Sequence, residues 1–228
     1  MANMPQLVIL AGGMATRLGD LAATVPKALI DIEGKPILTR ILDHAAEQGV
    51  DRALILIGHL GEAFDDYEHS AVDITFYKES KPLGTGGAIW NARHLLEPEF
   101  LMMWGDDLHV INLEALLTTH STERCPLTMT VTEEHDEFNL EHHNGRVIRY
   151  DKSGDNRTGL NGYEAGTSVV NRSIVIEYGR DGRWSWEEEI YPQLSGLIAA
   201  HIDDSPFHDM GTPERLEKLR SLFRTDRP

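Results

Sequence analysis

Unbroken apolar runs alternate with helix-period stretches through the first half of the chain. Residues 6–11 (QLVILA), 53–58 (ALILIG), 73–77 (DITFY) and 100–105 (FLMMWG) read as strands. The first, second and fourth lack polar alternation, as expected of strands covered on both faces. Between them, residues 36–48 set Ile37, Ile41, Leu42 and Ala45 on one helical face, with Gly49 as the stop. Residues 61–70 and 86–96 are the next helix candidates. Strand–helix–strand repetition predicts right-handed crossovers and a mostly parallel sheet.

Beyond His120 the pattern changes. Residues 127–132 (LTMTVT) alternate, His143-Asn144-Gly145 reads as a hairpin turn, and residues 146–150 (RVIRY) alternate again. A polar loop over 151–161 precedes a strand candidate at 166–170. Residues 186–194 and 213–223 read as helices, the second with Thr212 as N-cap and Pro213 in the first turn. No internal repeat, low-complexity tract or long linker interrupts the chain, so residues 1–228 are expected to form one α/β domain.

Charge narrows the function classes. Thirty-seven acidic against 21 basic residues give a formal net charge of −16. Nucleic-acid backbones and anionic membranes need a basic face, so neither is an expected partner. The first residues have no basic n-region, and the apolar run there is too short for a signal peptide or a membrane span. With Cys125 as the one cysteine, an intrachain disulfide and a thiolate cluster are both excluded, and the cytoplasm is the default compartment.

The stretch LAGGMATRLGDLAATVPKAL, residues 10–29, carries the densest chemistry. Gly12 and Gly13 follow a buried strand, at the edge where open α/β sheets bind ligands. Glycine lets backbone N–H groups approach phosphate oxygens and tolerates positive φ, Arg17 offers a fork, and Lys27 a mobile charge. A Walker loop would end in Gly-Lys-Ser/Thr, which is missing here. A Rossmann fingerprint would need alternating glycines and an uninterrupted helix, and Pro26 falls inside that helix. Asp31 keeps the Rossmann alternative open, and a chance glycine turn stays open beside it.

AGGMATRL followed by VPKALIDIEGKPIL resembles the signature of the sugar-1-phosphate nucleotidyltransferases (nucleotide-sugar pyrophosphorylases). The likeness runs on, in order, through GHLGEAFDDY, KPLGTGGAIWNA, LMMWGDD, NLEHHNGRVIRYDK, GYEAGTSVVN and FHDMGTPERL. The short, single-domain members similar to heptose- or mannose-1-phosphate guanylyltransferases fit best. The resemblance implies a three-layer α/β/α sandwich on a Rossmann-like mixed, mostly parallel sheet. It divides the domain into a nucleotide-binding half, about 1–120, and a sugar-binding half with a closing helix, about 121–228.

It also implies a reaction: a nucleoside triphosphate and a sugar 1-phosphate give a nucleotide sugar and pyrophosphate, by Mg²⁺-assisted in-line attack on the α-phosphorus. By resemblance Arg17 and Lys27 are catalytic, and Ala11, Gly12, Gly13, Met14, Thr16, Gly84, Thr85 and Gly86 bind the nucleotide. Lys152, Glu164, Gly166 and Asn139 serve the sugar phosphate. Asp106 and Asp209 hold Mg²⁺, a hard cation suited to carboxylates and phosphate oxygens. Asp209 has an alternative as a capping carboxylate, and Asp107 either supports the metal pair or is a loop acid. Ala15 and Trp104 depart from the family pattern. The end of the chain soon after FHDMGTPERLEKLRSLF leaves no room for the β-helix domain of bifunctional relatives, and no acetyltransferase activity is expected.

Three features read as distractions. His135, Glu137, Glu141, His142 and His143 lack the spacing of a zinc site such as HExxH on a helix and read as a solvated hairpin. Trp184 and Trp186 read as packing at a helix start, and Cys125 as a small structural residue. A nucleotide-sugar-dependent glycosyltransferase and a non-catalytic nucleotide-sugar sensor remain as rivals. GTP is the expected donor, with UTP, CTP and dTTP open, and a homodimer is one option for the assembly.

Overall fold

The computed structural model describes residues 4–13, 18 and 24–225. Its centre is a nine-stranded sheet. The apolar runs form β1 (Gln6–Leu10), β2 (Arg52–Ile57), β3 (Asp73–Lys78) and β4 (Glu99–Trp104), side by side and parallel in the order β3-β2-β1-β4. The sheet continues through β9 (Tyr163–Asn171), β6 (Leu127–Thr132), β10 (Ile198–Ile202), β8 (Arg146–Tyr150) and β7 (Leu140–His143). β8 and β9 run against all the others, so the sheet is mixed but mostly parallel in direction. A separate two-stranded ribbon pairs β5 (Asp107–His109) with β11 (Phe207–Asp209).

Successive side chains of β1 point to opposite faces, and each face buries its own core. Leu7 and Ile9 join Ile37, Leu38, Ile41 and Leu42 of α1 (Ile37–Glu47), together with Leu216 and Leu219 of the closing helix. Val8 joins Ile89 of α2 (Gly84–Asn91), Ile174 of a later helix, and Trp186 and Tyr191 from the opposite layer. Helices thus cover both faces, in three layers. The remaining helices are α3 (Leu113–Glu123), α4 (Arg172–Tyr178), α5 (Trp186–Gln193) and α6 (Pro213–Thr225). At the start of α6 the Thr212 hydroxyl accepts from the Arg215 N–H at 3.3 Å, as its position predicts.

Two expectations need correction. Of residues 61–70, only Gly61–Phe64 forms a helical turn, a short 3-10 one after Leu60 in the left-handed region, and an irregular stretch over 65–72 then leads to β3. The helix predicted from residue 86 begins at Gly84 and stops at Asn91. The β7–β8 hairpin turns as read, with Asn144 (φ 50°) and Gly145 (φ 73°) supplying the two left-handed positions of a tight turn.

Two local features place the site. β1 lies between β2 and β4, so the chain leaves the carboxyl ends of β1 and β4 toward different sides and a crevice opens there. In β9, residues 165–167 stand opposite the single residue Thr130 of β6, a bulge in which Gly166 takes φ 76°. Among the described residues no helix is long and apolar enough to cross a membrane.

Candidate functional site

The crevice is a cleft of about 290 Å³. Its lining includes Ala11, Gly12, Gly13, Lys27 and Asp106, together with Glu79, Pro82, Gly84, Thr85 and Trp104, and a Cβ at Gly12 would lie 3.6 Å from Glu79 Oε1. Backbone bonds pin the rim: Ala11 N–H donates to Leu56 O at 2.9 Å, and Gly105 N–H to Leu10 O at 3.0 Å. Gly12 and Gly13 are not among the described glycines at positive φ, which corrects one reason for placing glycine there. Space is the reason that remains: a Cβ at Gly12 would lie 3.3 Å from the Gly58 nitrogen, and none of the described atoms lies within 4 Å of one at Gly13. Met14, Ala15, Thr16 and Arg17 lie outside the described residues.

Lys27 pairs with Asp106 Oδ2. Asp106 stands two residues past the end of β4, and its carbonyl accepts from Met210 N–H at 3.2 Å. The β5–β11 ribbon sets Asp107 opposite Asp209, so two segments a hundred positions apart bring three carboxylates together. Asp209 accepts from Arg215 Nη1 at 2.8 and 3.0 Å and from Gly211 N–H at 2.8 Å, ahead of α6, whose first-turn N–H of Arg215 goes to Thr212 instead. Burial pushes the Asp107 carboxyl well above the usual range, and the charges of Asp106 and Asp209 push the same way. A Cβ at Gly166 would lie 2.9 Å from Asp107 Oδ2, so that glycine leaves room for the carboxyl.

Glu164 lies behind the cleft, 7% exposed, with both oxygens occupied. Oε1 accepts from Trp104 Nε1 at 3.1 Å and Tyr191 OH at 2.9 Å, and Oε2 from Tyr150 OH at 2.9 Å. Burial, then the nearby charge of Glu187, raise its pKa to about 7, although all three donors favour the carboxylate. Asn139 reaches the same group indirectly, its Oδ1 accepting from the Glu164 N–H at 2.9 Å. Lys152 lies just past β8 and pairs with Glu187 at 3.0 Å.

Gly84 and Thr85 line the cleft, whereas Gly86 turns away. A Cβ at Gly86 would lie 2.1 Å from the Trp184 ring, so its smallness serves packing between α2 and the segment before α5. Trp184 and Trp186 are 4% and 0% exposed and pack as read, and Cys125 is buried. The histidine-rich segment is only partly solvated, which corrects that reading. His135 stacks on Tyr163 at 3.7 Å between ring centroids, and His142 Nε2 lies 3.1 Å from Glu133. Among the described residues no group of three or more His, Cys, Asp or Glu is arranged to hold a metal.

Two site residues escaped the sequence. Glu79 is half-buried in the cleft wall, where its Oε2 accepts from Leu83 N–H at 3.2 Å. Burial raises its pKa, and Arg183, also in the wall, offsets part of that rise. Its position at the end of β3, just before the Gly84–Thr85 turn, was an available signal. Glu187 acts through a contact with Thr85, 102 positions away, which no local pattern discloses; Trp104, named in the sequence, finds its partner Glu164 60 positions away.

Comparison with known proteins places this geometry. Residues 6–153 match the family described as Nucleotidyl transferase. The chain is 27% identical over 225 residues to the D-glycero-alpha-D-manno-heptose 1-phosphate guanylyltransferase of Aneurinibacillus thermoaerophilus, covering 94% of this chain and 96% of that protein. It is 29% identical over 230 residues to the mannose-1-phosphate guanylyltransferase of Mycobacterium tuberculosis, covering 91% of this chain and 61% of that protein. The crystal structure of HddC from Yersinia pseudotuberculosis superimposes with a TM-score of 0.84 at 28% identity, over 96% of this chain and all of the other. With well over half of its length matched, the chain belongs to the nucleotidyl transferase family.

Proposed function

We propose that this protein transfers a guanylyl group from GTP to a heptose or mannose 1-phosphate, releasing pyrophosphate. The observation that carries the reaction is the cleft at the carboxyl ends of β1 and β4, where open Gly12–Gly13 backbone, Lys27 and Asp106 meet. Full-length likeness to heptose 1-phosphate guanylyltransferases, and to an HddC structure complexed with GMP-PN, supports the donor and acceptor classes.

Glu79 supports guanine on chemical grounds. The Watson–Crick edge of guanine offers N1–H and N2–H₂, two adjacent donors that a carboxylate can accept together. Uracil and thymine offer one N3–H between two carbonyls, which a carboxylate repels. A half-buried carboxylate in the cleft wall therefore favours guanine over either.

In the reaction an acceptor phosphate oxygen forms a bond to the α-phosphorus while the bond to the bridging β-phosphate oxygen breaks, and pyrophosphate leaves with that electron pair. The protein's work is to position two polyanions and offset their charge. Lys27 is placed to exchange Asp106 for phosphate oxygens. Arg17 would hold the leaving pyrophosphate, and Lys152 the acceptor phosphate. Asp106 and Asp209 offer the hard oxygen donors that Mg²⁺ prefers, and their crowding against the buried Asp107 marks an excess of negative charge that suits a cation. Bound there, Mg²⁺ would supply positive charge to the phosphates. Residues 1–120 contribute the cleft and residues 121–228 the acceptor side of one domain.

Pyrophosphate release with each NTP, a panel of sugar 1-phosphates and Mg²⁺ tests the reading. GTP with mannose or heptose 1-phosphate should give the largest signal, abolished by EDTA and restored by Mg²⁺. Release of a nucleoside diphosphate instead would point to glycosyl transfer, and silence across the panel would overturn the proposal.

A further inference from the structure

Lys152 and Thr85 belong to different halves of the site, yet one carboxylate holds both. Glu187 stands in the first turn of α5, and its side chain is 13% exposed. Its Oε1 lies 3.0 Å from Lys152 Nζ. Its Oε2 accepts from the Thr85 hydroxyl at 3.2 Å and the Ser185 hydroxyl at 3.4 Å. The Thr85 oxygen in turn accepts from Trp186 N–H at 2.8 Å, so the hydroxyl is fixed from both sides.

An ordinary surface ion pair does not look like this. Exposed Lys–Glu pairs contribute little and leave the carboxylate in water. Here the carboxylate is largely covered and both oxygens have protein partners. It also stands close enough to the buried Glu164 to disfavour that group's charge, which a pair kept only for stability would avoid. A lysine on a loop, 42% exposed at the side chain, is otherwise free to sample many rotamers. An ammonium has three donors: Lys152 keeps Glu187 on one, reaches Ser185 Oγ at 3.5 Å with a second, and has the third to offer a phosphate.

We infer that Glu187 is a positioning residue, which aims Lys152 at the acceptor's phosphate and ties that aim to the Thr85 wall of the nucleotide cleft. The inference rests on the nucleotidyl-transfer reading above and deepens its acceptor side. Glu187 acts through Lys152, and Thr85 acts through Glu187. Occupation of the cleft by the nucleotide, against Thr85, thereby steadies the lysine that receives the second substrate.

The test is a double-mutant cycle read by pyrophosphate release. Glu187→Ala should lower kcat/KM for the sugar 1-phosphate by about tenfold or more, with the GTP dissociation constant moving less than about threefold. Thr85→Val should lower the same parameter by about threefold or more. In a Lys152→Ala background, Glu187→Ala should cost no more than about twofold further, because the group it acts through is gone. Losses that multiply in that background, or a Glu187→Ala enzyme as efficient as wild type, would overturn the inference. A general structural role would lower efficiency in every background. Should Glu187→Ala not fold, by circular dichroism, the same cycle with Glu187→Gln decides. Failure of the underlying reading shows separately, as a wild type that releases no pyrophosphate with any sugar 1-phosphate, and the inference falls with it.

Discussion

The indole N–H of Trp104 donates to Glu164 Oε1 across 3.1 Å, joining the wall of the nucleotide cleft to a carboxyl buried behind it. Tyr150 and Tyr191 complete the cage around that carboxyl. Trp104 therefore serves on two sides: its indole lines the cleft and satisfies a buried acceptor behind it.

The caged carboxyl makes stability depend on pH. Burial, then Glu187, hold the Glu164 pKa at about 7, against an ordinary value of 4.5. Between those values the folded protein keeps a proton that the unfolded chain has lost, so stability falls as pH rises through the window and levels off above it. The shift corresponds to roughly 3 kcal/mol. Glu164→Gln should remove that part of the slope. Urea unfolding at pH 5 and pH 8 measures it: wild type should lose more stability across the interval than the variant, and parallel losses would refute the assignment.

Lys27→Ala and Asp106→Asn should each lower turnover by about 10²- to 10³-fold, the range seen when a group that offsets reaction charge is removed. Their pair is partly exposed, 16% and 32% at the side chains, so its loss should cost stability under about 1 kcal/mol. Kinetics paired with thermal melts separate the two effects. An active Asp106→Asn enzyme would sink the proposed metal role.

Glu79→Gln should blur the choice of base. An amide offers one acceptor and one donor side by side, which match the N3–H and a carbonyl of uracil, and it loses one acceptor for guanine. The ratio of kcat/KM for GTP over UTP should fall about 10- to 100-fold, the size of discrimination carried by a bidentate base contact. An unchanged ratio would remove Glu79 from base recognition.

Gly166→Ala should destabilise the protein by about 2 kcal/mol or more, from the left-handed backbone and the crowding together. The position has φ 76°, and the added methyl would sit 2.9 Å from Asp107 Oδ2 and 3.3 Å from the Phe207 ring. The denaturation midpoint measures the first consequence. Reduced turnover in the folded fraction would show that the β9 bulge also sets the acidic end of the site.

Legibility followed locality. β1, β2 and β4 were readable because strands buried on both faces are continuous apolar runs. α3 was missed because its threonines, serine and lone histidine carry weak helix propensity, although Asn112, accepting from Ala115 N–H at 3.0 Å, marks its start. β10 (IAAHI) was missed because its small residues hide the burial that β6 supplies. In the site, Lys27 and Asp106 were visible in motifs as separate residues. Glu187 lies in SWEEEIYPQ, where three successive glutamates read as an ordinary acidic first turn. Only the packing of α5 against α2 and β8 distinguishes one of them.

The β5–β11 ribbon has a consequence for synthesis. β11 supplies Asp209, and it emerges from the ribosome roughly a hundred residues after β5, so a nascent chain can lay down β1 to β4 long before the acidic end exists. Competence arrives late and all at once, when the last strand zips onto a partner made much earlier. A chain halted or clipped ahead of Phe207 would lack both the second carboxylate and Leu216 and Leu219 of α6, which close the core over β1, so the acidic pair and the packing behind the cleft are completed by the same last segment.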